Sequence, residues 1–589
     1  MRFTFAVIAD SHFHPPGEPF QAAWAADAEF NPRNAAVVAL LRDAAPAFVI
    51  HLGDVPHPVP GLAAHDEALD VAEALYAGLE CPVHVVPGNH DIGDKPKPTS
   101  PVPGGDPALR ARFAQRWGPL WQRFEHGGWR FVLVDTPILN TATADEDAQW
   151  AWLDEALPPE APPTFAFVHY PPFLLHPDEP EHYDNLAEPA RARLLHHLRR
   201  ARATFCGHVH HPFWHPLSDT SELHILPSTA FVRPGYAEAS AIGPGPAFGR
   251  DDTQKLGLLF VHVDGDRYEV EHVRTFPVPS RVGPLAPGRR APPTHPLGAT
   301  LRHRWDALID IPADGLDPFT RKQARNDLTL RALEDAGFRR LRLPVDDLER
   351  PATRGRLRAL IARGWSASCF GARTPGEGRD LLEHVEVVRP PSQPPDDPDV
   401  HWAVVVKAAI RDDERFSHFP ALGFAPGEPV PPRGVVRCPM GTRPFDLPDG
   451  PVVLVELPRG DESERFTDAA ALARRGCEAL IAAIARPGLR LFLDSFVDHD
   501  RGYYPRDAFV DRRGNPRAAH RALVHLNRLL PRPCHAELHV DDHGDRYVVE
   551  GYGTLWLPTS PQPLPAGIEL TSGAERPGER TAAPRWVVS

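Results

Sequence analysis

The sequence predicts an α/β protein in three parts: an N-terminal α/β sandwich, a β/α-barrel-like middle and a small C-terminal β module. Three observations carry this. Five short apolar runs between Phe5 and Cys206 each stop at a polar cluster, and β-branched or aromatic runs without polar alternation read as strands buried on both faces. Over residues 298–533, apolar runs alternate, though not always, with helical stretches, the pattern of parallel strands joined by crossovers. Residues 534–589 hold alternating strands around the turn Asp541-Asp542-His543-Gly544-Asp545, which reads as a hairpin.

At 589 residues the chain is too long for one core. No run of about 18 apolar residues exists, so no membrane span is expected. The first strand begins at once and ends at Asp10, leaving no room for a signal peptide, so a cytoplasmic setting is expected. Cys81, Cys206, Cys369, Cys438, Cys477 and Cys534 form no C-x-x-C pair and read as small core residues in a reducing compartment. With 64 basic residues against 78 acidic and a net charge of −14, affinity for nucleic acid is not expected.

Taken in order, Phe5–Ala9 is the first strand and residues 15–33 a Pro/Gly-rich loop near the edge where the apolar runs end. A helix is expected over 34–44, where Val37, Val38, Leu40 and Leu41 make one apolar face. Phe48–Leu52 is the next strand and 65–79 the next helix. Residues 91–105 hold too many prolines for a helix and should arch over the site; Lys95 and Lys97 there could meet phosphate, surface lysines being the commoner case. Trp129–Asp135 is a strand, 145–157 a helix, Phe165–Val168 a strand, 170–186 a loop with His176 and His182, and 188–201 a helix. Leu223–Leu226, Leu258–Val263 and Arg267–His272 finish the sheets. Phe231, Arg233 and Tyr236 are a candidate substrate rim, Arg233 suiting a phosphate or a carboxylate.

The polar clusters carry the chemistry. The runs end in Asp10-Ser11-His12, Gly53-Asp54, Gly88-Asn89-His90-Asp91, His169 and Gly207-His208-Val209-His210. Singly, each reads as a turn or a core histidine. Jointly, Asp10, His12, Asp54, Asn89, His169, His208 and His210 are roughly the donors that two adjacent divalent ions need. These motifs, with the phrase His182-Tyr183-Asp184-Asn185-Leu186, resemble the calcineurin-like metallophosphoesterase superfamily. The likeness is to the branch of phosphoesterase-domain proteins related to phosphoserine phosphatases and to cyclic-nucleotide or glycerol phosphodiesterases. The resemblance implies a four-layer αββα sandwich over residues 1–275. It further implies two divalent or mixed-valence ions (Mn, Fe or Zn) and hydrolysis of a phosphate mono- or diester, small-molecule or protein, by a hydroxide bridging the ions. One ion is implied on Asp10, His12, Asp54 and His210, the other on Asp54, Asn89, His169 and His208, with His90 as the catalytic residue beside the phosphoryl group. Where several relatives orient that histidine with an aspartate, this sequence has His57, so the orienting group is open; Asp91 is one candidate and a turn cap is its other reading. A nuclease on this core would want basic grooves.

Residues 276–297 are Pro/Gly/Arg-rich and read as a linker. Beyond it, strands are expected at 308–312, 339–345, 365–371, 384–389, 402–408, 434–438, 451–457 and 489–496, with helices at 319–337, 351–363, 465–486 and 516–530. Eight strands suit a TIM-type barrel. The closing segment from Phe492 weakly resembles glycoside-hydrolase barrels, with Glu456 where such barrels carry a nucleophile. Glycoside hydrolysis needs a second carboxylate, and Glu386-Val387-Val388-Arg389-Pro390 stands where an Asn-Glu pair is expected. A degenerate barrel that contacts carbohydrate or shapes the phosphoesterase cleft is the expectation, with an active glycosidase as the alternative.

Overall fold

The computed structural model describes every residue except 18–23, 98, 99, 101, 103, 238–245, 282–284, 286–292, 388–399, 407–415, 421–434, 459–467, 502–506 and 589. Parts of the expected loop 15–33, the linker 276–297, the strand 402–408 and the helix 465–486 therefore lie outside the described residues. The chain divides into two compact units, Met1–Ala291 with Ala307–Asp327, and Pro292–Asp306 with Leu328–Ser589.

In the first unit the strands are β1 (Arg2–Ile8), β2 (Val49–His51), β3 (Val83–Val85), β4 (Gln122–His126), β5 (Trp129–Val134), β6 (Thr164–Val168), β7 (Ala203–Cys206), β8 (Phe213–Ser218), β9 (Ser221–Ile225), β10 (Gly257–Asp264) and β11 (Arg267–Arg274). Its longer helices are α1 (Phe30–Ala44), α2 (Ala64–Tyr76), α3 (Pro107–Trp117), α4 (Ala144–Ala156) and α5 (Ala190–Leu198). One sheet runs β11-β10-β1-β2-β3, the other β4-β5-β6-β7-β9-β8. Strands β1, β2 and β3 are parallel, as are β5, β6, β7 and β9.

The missing polar alternation now has its cause: both faces of both sheets are covered. Phe5, Val7, Phe48 and Ile50 share one core with Phe131, Phe165, Phe167 and Phe205 of the opposing sheet. Ala6, Ile8 and Val49 cluster instead with Val37 and Leu41 of α1 and Leu69 and Ala72 of α2. Val132, Val134, Ala166 and Val168 cluster with Trp150 and Leu153 of α4 and Leu194 of α5. The result is four layers in the order α/β/β/α, and each fully buried Phe or Val contributes about 1.5–3 kcal/mol. Strands β4 and β8 have no counterpart in the sequence reading. The first alternates half-buried with exposed positions, and the second carries Pro216 beside a break in register; both are edge strands.

The run at 308–312 is not a barrel strand. Leu308–Ile311 pairs antiparallel with Lys322–Arg325, and this hairpin belongs to the first unit, where Ile311 and Ala324 join the core beside α4 and α5. Only Ile311 of that strand is buried, so it could not serve a sheet covered on both faces. The helix expected over 319–337 shortens to Leu328–Asp335 because Lys322–Arg325 is spent on the hairpin.

In the second unit, the described residues place nine parallel strands in one sheet: Gly298–Thr300, Arg340–Pro344, Ser366–Gly371, Val385–Val387, Val400–Val406, Phe416–Pro420, Val435–Cys438, Val452–Glu456 and Arg490–Asp494. The first pairs with both the second and the last, the connectivity of a sheet curling back on itself. Among the described residues no ladder joins Phe416–Pro420 to Val435–Cys438. Helices Pro351–Ala362, Ala469–Ala485 and Ala518–Leu529 fall between or after the strands. Residues 536–588 add a six-stranded and a two-stranded sheet, the former entered through the hairpin Ala536–Asp541/Gly544–Val549. At its turn the His543 N–H donates to Asp541 Oδ1 at 2.8 Å, so the acidic cluster there is turn chemistry.

Candidate metal centre

The five clusters meet beyond the C-terminal ends of β1, β2, β3, β6 and β7, where parallel strands deliver them to one edge. Asp10, His12, Asp54 and His210 bring one donor atom each within 4.8 Å of one another, and so do Asp54, His169 and His208. Asn89 Oδ1 lies 2.9 Å from His169 Nε2 and 3.0 Å from His208 Nδ1. Asp54 belongs to both groups: its Oδ2 is 3.7 Å from His12 Nε2 and its Oδ1 3.4 Å from His169 Nε2. All seven residues are buried.

The backbone is bent to achieve this. Asp10, His12, Asp54, His208 and His210 all sit at positive φ, between 46° and 69°. Strain of that kind costs on the order of 1–3 kcal/mol per residue and clusters where function over-determines it. Gly88 is part of the same device, since a Cβ there would lie 2.4 Å from Asp54 Oδ1 and 2.5 Å from its amide nitrogen. Gly88→Ala is expected to weaken metal binding by about 10–100-fold, the usual penalty for disturbing the support of a ligand. Competition against a chromophoric chelator measures it, and affinity within twofold of wild type would contradict the expectation.

The donor set fits a pair of cations. His169 Nδ1–H donates to the Leu52 carbonyl at 2.8 Å, and His208 Nε2–H donates to that of Tyr183 at 3.3 Å, because a carbonyl can only accept. The remaining lone pairs, His169 Nε2 and His208 Nδ1, then face each other at 3.2 Å beside Asn89 Oδ1. His12 Nε2 and His210 Nε2 face each other at the same separation. The converging acceptors of His169, His208 and Asn89 repel unless a cation lies among them. Burial, then the neighbouring histidines His90 and His210, hold His12 well below its ordinary pKa; burial, then His169, does the same for His208. Burial opposes ionisation of Asp10, but the His210 charge and hydrogen bond hold it below the usual carboxylate range. The His12 and His208 imidazoles are thus neutral and the Asp10 carboxylate charged, the forms that bind metal.

His90 stands beside this cluster. Its amide donates to Asp54 Oδ1 at 2.8 Å and its ring packs edge-on to His12. Its Nδ1–H donates to the backbone carbonyl of His57 at 2.6 Å, which leaves Nε2 as the free nitrogen. The open question of the orienting group is answered by a main-chain oxygen rather than a side chain. Asp91 caps the turn: its carboxylate accepts the amides of Asp54, Val55 and Gly88.

The other singled-out residues fall differently. Lys95 and Lys97 are not surface lysines. Lys95 is buried and donates to the carbonyls of His182 (2.7 Å) and Asn185, with burial lowering its pKa to about 8. Lys97 pairs with Asp317. Arg233 is matched to a carboxylate, Asp184, which Tyr236 also contacts at 2.7 Å. Phe231 packs against the rings of His12 and His210. His176 is exposed and His182 buried beside Glu179. Cys206 is buried in β7, and burial pushes its thiol well up, away from a nucleophile. The sequence reading gave no role to Asp184, Asp317 or Lys322, and no local motif marks the last two.

Residues 3–212 match the family model described as calcineurin-like phosphoesterase. Over 176 residues the chain is 32% identical to the Mus musculus protein named serine/threonine-protein phosphatase CPPED1, covering 28% of this chain and 54% of that one. It is 26% identical over 184 residues to a probable cyclic nucleotide phosphodiesterase of Synechococcus, covering 31% of this chain and 65% of the relative. A solved dimetal phosphatase from Danio rerio aligns with 46% of this chain and 95% of its own, at 16% identity and a TM-score of 0.33. The chain spans about half the length of the phosphatase relatives it matches.

Proposed function

We propose that the first unit hydrolyses phosphate esters with two divalent or mixed-valence metal ions, Mn, Fe or Zn, held by the seven side chains. The observation that carries this is the placement of Asp54, whose two oxygens face the two donor groups. Bound there, the ions would neutralise phosphoryl oxygens and supply a nucleophile at neutral pH. The protein's own part is positional and protonic. Asp54 and the backbone bends fix the donors, the orienting carbonyls present the correct imidazole nitrogens, and His90, its Nδ1–H held by the His57 carbonyl, would donate from Nε2 to the departing alkoxide in its doubly protonated form. The similarity to proteins named as a phosphatase and as a phosphodiesterase supports both monoester and diester substrates, small-molecule or protein. A cytoplasmic setting is supported by the six free cysteines. Among the described residues no helix is long and apolar enough to cross a membrane.

The test is hydrolysis of p-nitrophenyl phosphate and bis-p-nitrophenyl phosphate by metal-stripped protein reconstituted separately with manganese, iron and zinc. The expected result is turnover restored by at least one metal and abolished again by chelator. Two ions bound per chain with no hydrolysis of either ester would remove the proposal. The glycosidase alternative finds less support: Glu456 lies 3.2 Å from the Arg437 guanidinium, and Glu386 is clamped by Arg342.

A further inference from the structure

A second group of charges packs behind His208, and two of its members come from the hairpin beyond the linker. The ring of Tyr183 lies 4.9 Å from that of His208, and its hydroxyl accepts from Asn89 Nδ2 at 3.3 Å. The Tyr183 carbonyl accepts the His208 Nε2–H, and Asp184 Oδ1 is 3.7 Å from the same nitrogen. Whatever fixes Tyr183-Asp184 therefore fixes which nitrogen His208 turns toward Asn89 and His169.

The fixing comes from a distance of 134 residues. Asp317 accepts the Tyr183 amide through both carboxylate oxygens, at 2.9 and 3.1 Å. Lys322 donates to Asp184 and, at 3.1 Å, to Asp317. Arg233 and Tyr236 complete Asp184, and Lys97 completes Asp317. The side chains of Asp184, Asp317 and Lys322 are all at most 2% exposed. Two carboxylates thus face three cations with almost no water. A buried ionic cluster of this kind is weak evidence for stability, because desolvation offsets the attraction; its best-attested use is to fix geometry.

We infer that Asp317 and Lys322 are positioning residues for the half of the metal centre formed by Asp54, Asn89, His169 and His208, acting by holding Tyr183-Asp184 against His208. The inference rests on the dinuclear reading above and adds to it a segment outside the span that matches the family model, residues 3–212.

The experiment is a manganese titration of full-length wild type, Asp317→Asn, Lys322→Met and Lys322→Arg, followed by electron paramagnetic resonance and calorimetry. Wild type is expected to take up two ions. In Asp317→Asn and Lys322→Met one ion should bind about 10–100-fold more weakly, the other within a few-fold of wild type, with Lys322→Arg recovering most of the loss. For p-nitrophenyl phosphate, kcat should fall while KM changes little. Thermal melts of the metal-free proteins identify a variant that has lost its fold; Asp317→Asn, which keeps an acceptor oxygen, is the milder change. Two ions bound to both folded variants with wild-type affinity would overturn the inference and leave the phosphoesterase reading standing. Equal weakening of both ions would also overturn it, since a general loss of packing would do that. Fewer than two ions on wild type would remove both together.

Discussion

Asp54→Asn is expected to lower kcat/KM for phosphate-ester hydrolysis by about 10³-fold, or about 4 kcal/mol in transition-state stabilisation. The size follows from position. Asp54 is the one residue shared by the two groups of donors, and its Oδ1 also receives the His90 amide. An asparagine keeps the shape but exchanges one anionic oxygen for an NH₂ that cannot accept. Both halves of the centre then lose the shared negative charge, and because the His90 amide needs an acceptor at Oδ1, the NH₂ takes the Oδ2 position and turns a donor toward His12. Metal analysis should show the count fall from two ions per chain to one or fewer. Two ions retained and activity within tenfold of wild type would mean that Asp54 does not join the two halves.

In the second unit, Arg342→Met is expected to destabilise the fold by about 3–5 kcal/mol, the usual cost of stranding one member of a buried pair. Arg342 Nε lies 2.9 and 3.0 Å from the two Glu386 oxygens, both side chains are buried, and His384 is the further partner at 3.2 Å. The guanidinium also covers the Phe370 ring. Replacing both partners by apolar residues, Arg342→Met with Glu386→Leu, should recover most of the loss, because no charge is then left without water or a partner. The pH dependence gives a second check. Burial alone would raise the Glu386 pKa, but Arg342 holds it down at about 2. The stabilisation is therefore fully present above the unfolded carboxyl's pKa, about 4.3, and is lost as pH falls toward 2. Without Arg342 the folded carboxyl titrates above the unfolded one, so the sign reverses and the variant's deficit should shrink between pH 7.5 and pH 4. Urea unfolding at the two pH values measures this. An unchanged deficit would mean that lost packing on Phe370, not a stranded charge, is the cause.

The same pair shows where sequence reading stops. Glu386 stands out in the sequence as a carboxylate in a strand at a suggestive place. That it is neutralised follows only from the pairing of Arg340–Pro344 through Ser366–Gly371 to Val385–Val387, which sets Arg342 beside it. Likewise Arg233 is an arginine suited to an anion in the sequence, and Asp184 is the anion only in the fold.

The sequence by itself determined the five clusters, the strands that end in them and, beyond residue 338, most of the parallel strands and the helices near 351–363, 465–486 and 516–530. Each is local: an unbroken apolar run needs two covered faces, and the polar residue that ends it, after a glycine in three of the five, marks where the strand leaves the sheet. Only the tertiary structure decided that Leu308–Arg325 is a hairpin of the first unit, that the described residues of the second unit place nine strands in one parallel sheet, and that His57 orients His90 through its carbonyl. These depend on which charges and hydrogen-bonding groups remain together once water is excluded. Asp317 and Lys322 meet Tyr183 and Asp184 across 134 and 138 residues, and at that separation no periodicity in the chain can announce the contact.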